Sequence, residues 1–208
     1  MTRAPFRLPA PVRIVFAGQS HNQWPPFGYG DDLGPYPNRL MRYLPGVPWV
    51  NSAHGGHGWA ELTPLIPDDI ETQIRHRVGH NDVLIMSGGQ SDIYEDDKTG
   101  AETYARAVAY ANAARAAGFH EVHATTMPAF GPGGSIDPDA GMLQARIDHN
   151  TLLMADASAA FDVVVDWHTH PALADATDTT YFEADRVHFT PGGADVAAHL
   201  VAAALGLA

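Results

Sequence analysis

The sequence predicts an α/β fold in which a parallel sheet of about five strands is covered by helices on both faces. Three observations carry that prediction. Five short apolar runs recur along the chain, separated by stretches with helical patterning. The runs are nearly continuous in apolar residues, as expected of strands buried on both faces. Regular alternation of strand and helix is the pattern of a sheet whose parallel neighbours are joined by crossover helices.

The predicted strands span residues 12–17, 49–53, 83–87, 122–126 and 163–167, each bounded by Gly, Pro or Asn. Pro64 and Pro67 are expected to break the region 59–77 into a short turn and a helix starting near Asp68. The clearest helix spans 99–117. Thr99 opens it with Glu102 three residues later, a capping-box spacing, and Gly118 closes it. A second helix is expected over 142–161. The last covers 193–205, with Thr190 as cap and Pro191 at the first helical position. The Pro- and Gly-rich stretches 24–36 and 128–141 read as surface loops. No repeat, low-complexity tract or second domain interrupts the chain, so residues 1–208 are expected to form one domain.

With 208 residues and 45% hydrophobic content, the chain is long enough for one sizeable core. The absence of cysteine excludes disulfides, thiolate catalysis and Cys-ligated zinc. A formal charge of −12 argues against a nucleic-acid backbone or an anionic membrane as partner, because both would repel it. There is no apolar run long enough to span a bilayer. The segment 1–12 is broken by Pro5, Pro9 and Pro11 and lacks the apolar stretch of a signal peptide. These features fit a cytoplasmic or virion-associated protein; nothing in the composition sets an oligomeric state.

Two strings carry chemistry. The first predicted strand stops at Gly18-Gln19-Ser20, where a glycine permits the sharp turn that presents a hydroxyl at the sheet edge. Taken alone, Ser20 is more often an ordinary helix-capping serine than a nucleophile. The second string is Asp185-Arg186-Val187-His188, just ahead of the last helix. Its carboxylate can reach round a turn to the imidazole Nδ1–H, fixing the tautomer and stabilising an imidazolium. A serine, a general base and an orienting carboxylate are what ester hydrolysis through a serine nucleophile requires.

Here the chain resembles the SGNH (GDSL-type) hydrolases, which carry four sequence blocks in this order on a flavodoxin-like, three-layer α/β/α sandwich. Gly18-Gln19-Ser20 is similar to the first block. Asn51-Ser52-Ala53-His54-Gly55-Gly56 is similar to the second, an Asn followed by an oxyanion-hole glycine at Gly56. The segment from Asp82 to Ile93, with Gly88-Gly89-Gln90-Ser91-Asp92, aligns on the third without gaps, and Asp185 with His188 on the fourth. The resemblance implies a serine esterase without a cofactor, with Ser20 as nucleophile, His188 as base and Asp185 as its partner. Gln19 stands where Asp is usual, and Ser91 where Asn is usual. Both changes are similar to the sialate O-acetylesterase-like and carbohydrate acetylesterase branch, which implies acetyl esters, on carbohydrates or other small molecules, as substrates.

The resemblance places the oxyanion donors at the Ser20 and Gly56 amides and at the residue-91 side chain. A serine hydroxyl donates with shorter reach than an asparagine amide, and Gln90 is the alternative donor. Trp24, Phe27 and Tyr29 read either as a stiff apolar wall for substrate or as loop aromatics packed on the sheet. His54 with His57, or Asp166, His168 and His170 sharing one face of a strand, would suit a metal-dependent hydrolase; solvated loop residues are the simpler reading, and no metal is expected. A non-catalytic carbohydrate-binding or virion structural module on a decayed hydrolase is the alternative from another functional class.

Overall fold

A computed structural model describes residues 12–23, 33–70, 81–134 and 136–207. Its strands are β1 (Val12–Gly18), β2 (Trp49–Asn51), β3 (Asn81–Ser87), β4 (Glu121–Thr125) and β5 (Val163–Val165). They form a five-stranded sheet in the order β2-β1-β3-β4-β5, and every pairing is parallel. This is the flavodoxin-like order. Its reversal point lies between β1 and β3, where a crevice opens beyond the strands' carboxyl ends.

Successive residues of the central strands feed two different cores, as the two-residue period of a strand requires. Ile14, Phe16 and Ile85 pack on one face against α1 (Tyr36–Leu40) and α7 (Pro191–Ala204). Val15, Ala17, Leu84 and Met86 pack on the other, beneath α2 (Trp59–Leu62) and α5 (Gly100–Ala116). α6 (Ala140–Ala155) lies against α5 in that second layer, and α4 (Gln90–Tyr94) follows β3 directly. The expected α/β/α sandwich is therefore present. Arg13 and Asp82 are direct neighbours across β1 and β3. They form a bidentate buried pair, Nε to Oδ1 at 2.8 Å and Nη2 to Oδ2 at 2.6 Å. A one-residue slip would separate them, so the pair pins the register on which the crevice depends.

The caps behave as their chemistry dictates. Thr99 Oγ1 accepts from the Glu102 amide at 3.3 Å, and Glu102 Oε2 accepts from the Thr99 amide at 3.0 Å. Thr190 Oγ1 accepts from Gly193 N at 3.2 Å, with Pro191 in the first turn of α7.

Five expectations need correction. Pro64 and Pro67 do not break the chain: each sits in the first turn of a short helical segment, the 3-10 turn Thr63–Leu65 and α3 (Ile66–Asp69). There proline's missing N–H costs nothing. The helix expected near Asp68 thus begins earlier, and residues 71–80 lie outside those described. α6 starts at Ala140, capped by the Asp139 carboxylate, and ends at Asp156 rather than at 161. Asp156 takes φ 35°, and its carboxylate accepts from Ser158 Oγ at 2.8 Å and Phe161 N at 3.3 Å, turning the chain into β5. β2 and β5 stop two residues short of their predicted ends. Tyr36 opens a helix instead of ending a loop. Finally, the stretch 128–141 is no surface loop throughout: Ala129, Phe130 and Ile136 are buried, the last two packing on Val187.

Candidate active site

The turn after β1 is built around one close approach. Gly18 has φ 129°, and a Cβ there would stand 1.8 Å from the Ser87 carbonyl oxygen at the end of β3. Only glycine lets the two strand ends come together this way. Gln19 N then donates to that same carbonyl at 3.1 Å. The Gln19 side chain is buried and works in both directions. Its Oε1 accepts from Gly89 N at 3.2 Å and Ser91 N at 3.4 Å, while Nε2 donates to His57 O at 2.6 Å. A carboxylate could only accept, so glutamine at this position ties three loops where an aspartate would tie fewer.

The neighbouring loop is held by Asn22 and Asn51. Asn22 Nδ2 donates to Ala17 O at 2.7 Å, its Oδ1 accepts from Ser87 Oγ, and its carbonyl takes Asn51 Nδ2 at 2.6 Å. His54 N reaches Gly18 O at 2.9 Å. These bonds bring Gly55 and Gly56 beside Ser20. The Gly55 amide is occupied by Gln23 Oε1 at 2.8 Å. Gly56 has φ 79°, with open space where a side chain would be, and its amide donates to no group among the described residues.

Asp185 and His188 meet as the spacing predicts. His188 Nδ1 lies 2.6 Å from Asp185 Oδ2, so the Nδ1–H donates to the carboxylate and the lone pair is left on Nε2. Asp185 Oδ1 also accepts the amides of Val187 and His188, each at 3.0 Å. Burial works against ionisation of this carboxyl, but the His188 hydrogen bond and the two amides outweigh it and hold the group well below the usual carboxylate range. The turn needs Arg186 at φ 55°, and its backbone is anchored by Gly131 N to Arg186 O at 3.2 Å.

Ser20, Gly56, Ser91 and His188 line one cleft of about 410 Å³ at the β1/β3 reversal point, together with Tyr94, Glu95, Ile136 and Val187. His188 Nε2 is buried and has no hydrogen-bond partner among the described residues. The Ser20 hydroxyl and the imidazole therefore share the cleft without being bonded to each other.

Gln90 and Ser91 both line the cleft but differ in their partners. Gln90 Nε2 is engaged with His21 Nδ1 at 3.3 Å. No hydrogen bond engages the Ser91 hydroxyl among the described residues. Asp92, the acid of the third block, is fully buried and structural. It accepts from Trp59 N and Arg106 Nη1, both at 2.9 Å, and desolvation raises its pKa.

Trp24, Phe27 and Tyr29 lie outside the described residues. Asp166, His168 and His170 do not share a strand face, because β5 ends at Val165. Asp166 takes Thr169 N at 3.1 Å, His168 Nδ1 sits 3.2 Å from Arg146 Nη1, and His170 Nδ1 accepts from Ala172 N at 3.3 Å. His54 pairs with Asp69 at 3.2 Å, and His57 Nδ1 lies 3.1 Å from Gly55 O. Among the described residues no three His, Asp or Glu groups converge as metal ligands. Nor is any helix among them long and apolar enough to cross a membrane. One buried residue beside the candidate nucleophile, His21, carries no motif and was invisible to spacing arguments.

The architecture and the crevice together define a class of fold, the α/β/α sandwich with its site at the strand-order reversal. Solved structures share it over almost their whole length. A member of the lipolytic G-D-S-L family from Veillonella parvula superposes with a TM-score of 0.70 at 19% identity, covering 94% of this chain and 98% of that one. An acetyl xylan esterase variant from Geobacillus stearothermophilus gives 0.66 at 16% identity, covering 98% of both. A psychrotrophic esterase from Pseudoalteromonas sp., inhibited by monoethylphosphonate, gives 0.66 at 10% identity, covering 93% of this chain and 96% of that one. At such identities the likeness is one of fold. No protein-family model matches the chain, and no curated protein matches it in sequence.

Proposed function

We propose that this chain is a serine esterase hydrolysing small acyl esters, acetyl esters above all, with a carbohydrate or another small molecule as the alcohol. One observation carries the reading: the Asp185–His188 pair leaves a buried, unpartnered Nε2 lone pair in the cleft that Ser20 lines. A buried ring nitrogen without a partner is costly to keep, and a substrate-bound serine hydroxyl would supply one. The fold shared with a psychrotrophic esterase and with an acetyl xylan esterase supports the ester class, and the second of them supports the acetyl preference.

In this mechanism His188 Nε2 takes the Ser20 proton as Oγ attacks the ester carbonyl carbon. Asp185, ionised throughout, stabilises the imidazolium that forms. The Ser20 and Gly56 amides and the Ser91 hydroxyl receive the developing oxyanion, each such donor being worth about 10²–10³ in rate. As the tetrahedral intermediate collapses, His188 protonates the departing alcohol. Water, deprotonated by the same imidazole, then attacks the acyl-enzyme, and His188 returns that proton to Ser20 Oγ as the acid is released. No cofactor enters the scheme.

The test is hydrolysis of 4-nitrophenyl esters of increasing acyl length by the wild type and by Ser20→Ala. Activity that is highest on acetate and vanishes in the variant is expected. A wild type inactive at every acyl length overturns the esterase reading, and equal rates in the two proteins overturn the assignment of Ser20.

A further inference from the structure

His21 follows Ser20 in sequence, yet its ring points inward and is only 3% exposed. Its Nε2 stands 2.9 Å from the Val187 carbonyl oxygen. A carbonyl only accepts, so Nε2 must carry the proton. Nδ1 is then a bare lone pair, and the Gln90 carboxamide donates to it at 3.3 Å. Both ring nitrogens are thereby assigned, and a single neutral tautomer satisfies the whole set. The ring bridges three segments: the turn after β1, the start of α4 after β3, and the loop before α7.

The bridge grips the loop at a telling place. Val187 lies between Asp185 and His188; its amide is held by Asp185 Oδ1 at 3.0 Å, and its carbonyl by His21. The peptides on which His188 hangs are fixed from both sides. Phe189 closes the remaining side of the His21 ring, edge-on at 4.8 Å between centroids. The His188 ring is 5.8 Å away.

We propose that His21 is a positioning residue: as a bridging Nε2–H donor oriented by Gln90, it sets the Asp185–His188 loop against the turn that carries Ser20. The role rests on the esterase reading given above. Its neutrality matters as well. Burial first, and the neighbouring His188 second, push the His21 pKa down to about 3, with the Val187 hydrogen bond and the Asp185 carboxylate acting the other way. A neutral bridge adds no charge beside the imidazolium that His188 becomes during acylation. A lysine or a protonated histidine in its place would oppose that charge.

The experiment compares the wild type, His21→Phe and His21→Gln on 4-nitrophenyl acetate, with circular dichroism and thermal unfolding to establish that each is folded. Phenylalanine keeps the ring volume and loses the donor; glutamine places an N–H where Nε2 stands. The expected result is a kcat roughly 10–100-fold lower for His21→Phe with KM changed less than about twofold, and recovery by His21→Gln to within about fivefold of wild type. Loss of packing alone would not be repaired by the smaller, polar glutamine. Nitrogen-15 spectra of the wild-type imidazoles form the second arm: His21 should stay protonated at Nε2 and bare at Nδ1 from about pH 5 to 9. A folded His21→Phe with undiminished kcat, or a His21 that titrates in that range, overturns the positioning role alone. A wild type inactive on every ester overturns the esterase reading and this role together.

Discussion

Replacing Asp185 by Asn changes an acceptor atom into a donor while leaving the shape of the side chain almost intact. The wild-type carboxylate takes the Val187 and His188 amides on Oδ1 and the His188 Nδ1–H on Oδ2. In the variant the carboxamide oxygen keeps the two amides, so its NH₂ is left opposite Nδ1 at about the same 2.6 Å. Two donors cannot share that contact. The imidazole responds by moving its proton to Nε2, and the lone pair needed to accept the Ser20 proton is gone. A base trapped in the wrong tautomer loses about 10⁴ in kcat, or about 5 kcal/mol of transition-state stabilisation. The oxyanion donors are untouched, so a residual rate above background should remain, and KM should barely move. Steady-state rates on 4-nitrophenyl acetate near neutral pH, with Ser20→Ala as the floor and circular dichroism as the fold control, measure this directly. An Asp185→Asn protein that keeps a tenth or more of wild-type kcat refutes the argument, because the 2.6 Å contact would then not be selecting the tautomer.

Ser91→Ala should cost about 10²–10³ in kcat with little change in KM, whereas Gln90→Ala should cost less, since its donor already serves His21; the reverse order would transfer the oxyanion role to Gln90. Arg13→Met leaves the Asp82 carboxylate buried without its bidentate partner and should lower unfolding stability by about 3–5 kcal/mol, read as a shift in urea midpoint, with Asp82→Leu in the same chain restoring much of it. The depressed pKa of Asp185 means that its ionised form stabilises the fold above the ordinary carboxylate value of about 3.9, and that this contribution is lost as pH falls through the lower folded value. Thermal unfolding of the Asp185→Asn variant should therefore depend less on pH in the acid range than that of the wild type, and parallel curves would contradict the linkage.

Much of the fold was legible because it rests on short-range rules. β1 and β3 are buried on both faces, and their apolar runs say so without reference to partners. Thr99 with Glu102 and Thr190 with Pro191 mark helix starts through bonds that span three residues. The Asp185–His188 contact is of the same kind, one turn of chain. Errors gathered where a local signal was overruled from a distance. The apolar and alanine-rich pattern beyond residue 155 continues towards 161, but Asp156 turns left-handed and binds Ser158 and Phe161 instead. The prolines of 59–69 look like breaks until they are seen in first turns. Phe130 and Ile136 sit in a Pro/Gly-rich stretch, yet the 185–188 loop covers them.

What the sequence by itself determined is the layered α/β architecture, the strand ends beside which the candidate site lies, and the identity of the groups available there: a serine, an imidazole and its carboxylate. Periodicity and capping are local properties, readable from neighbours in the chain. Only the tertiary structure decided how those groups are allotted. Gln90 and Ser91 are adjacent in sequence and either side chain can donate a hydrogen bond, but Gln90 is claimed by a histidine 69 positions away. His21 in turn reaches a carbonyl 166 positions away. Such pairings arise because the strand-order reversal brings the ends of β1 and β3 and the loop before α7 to one crevice, and no pattern within a segment records which distant atom will complete a hydrogen bond there.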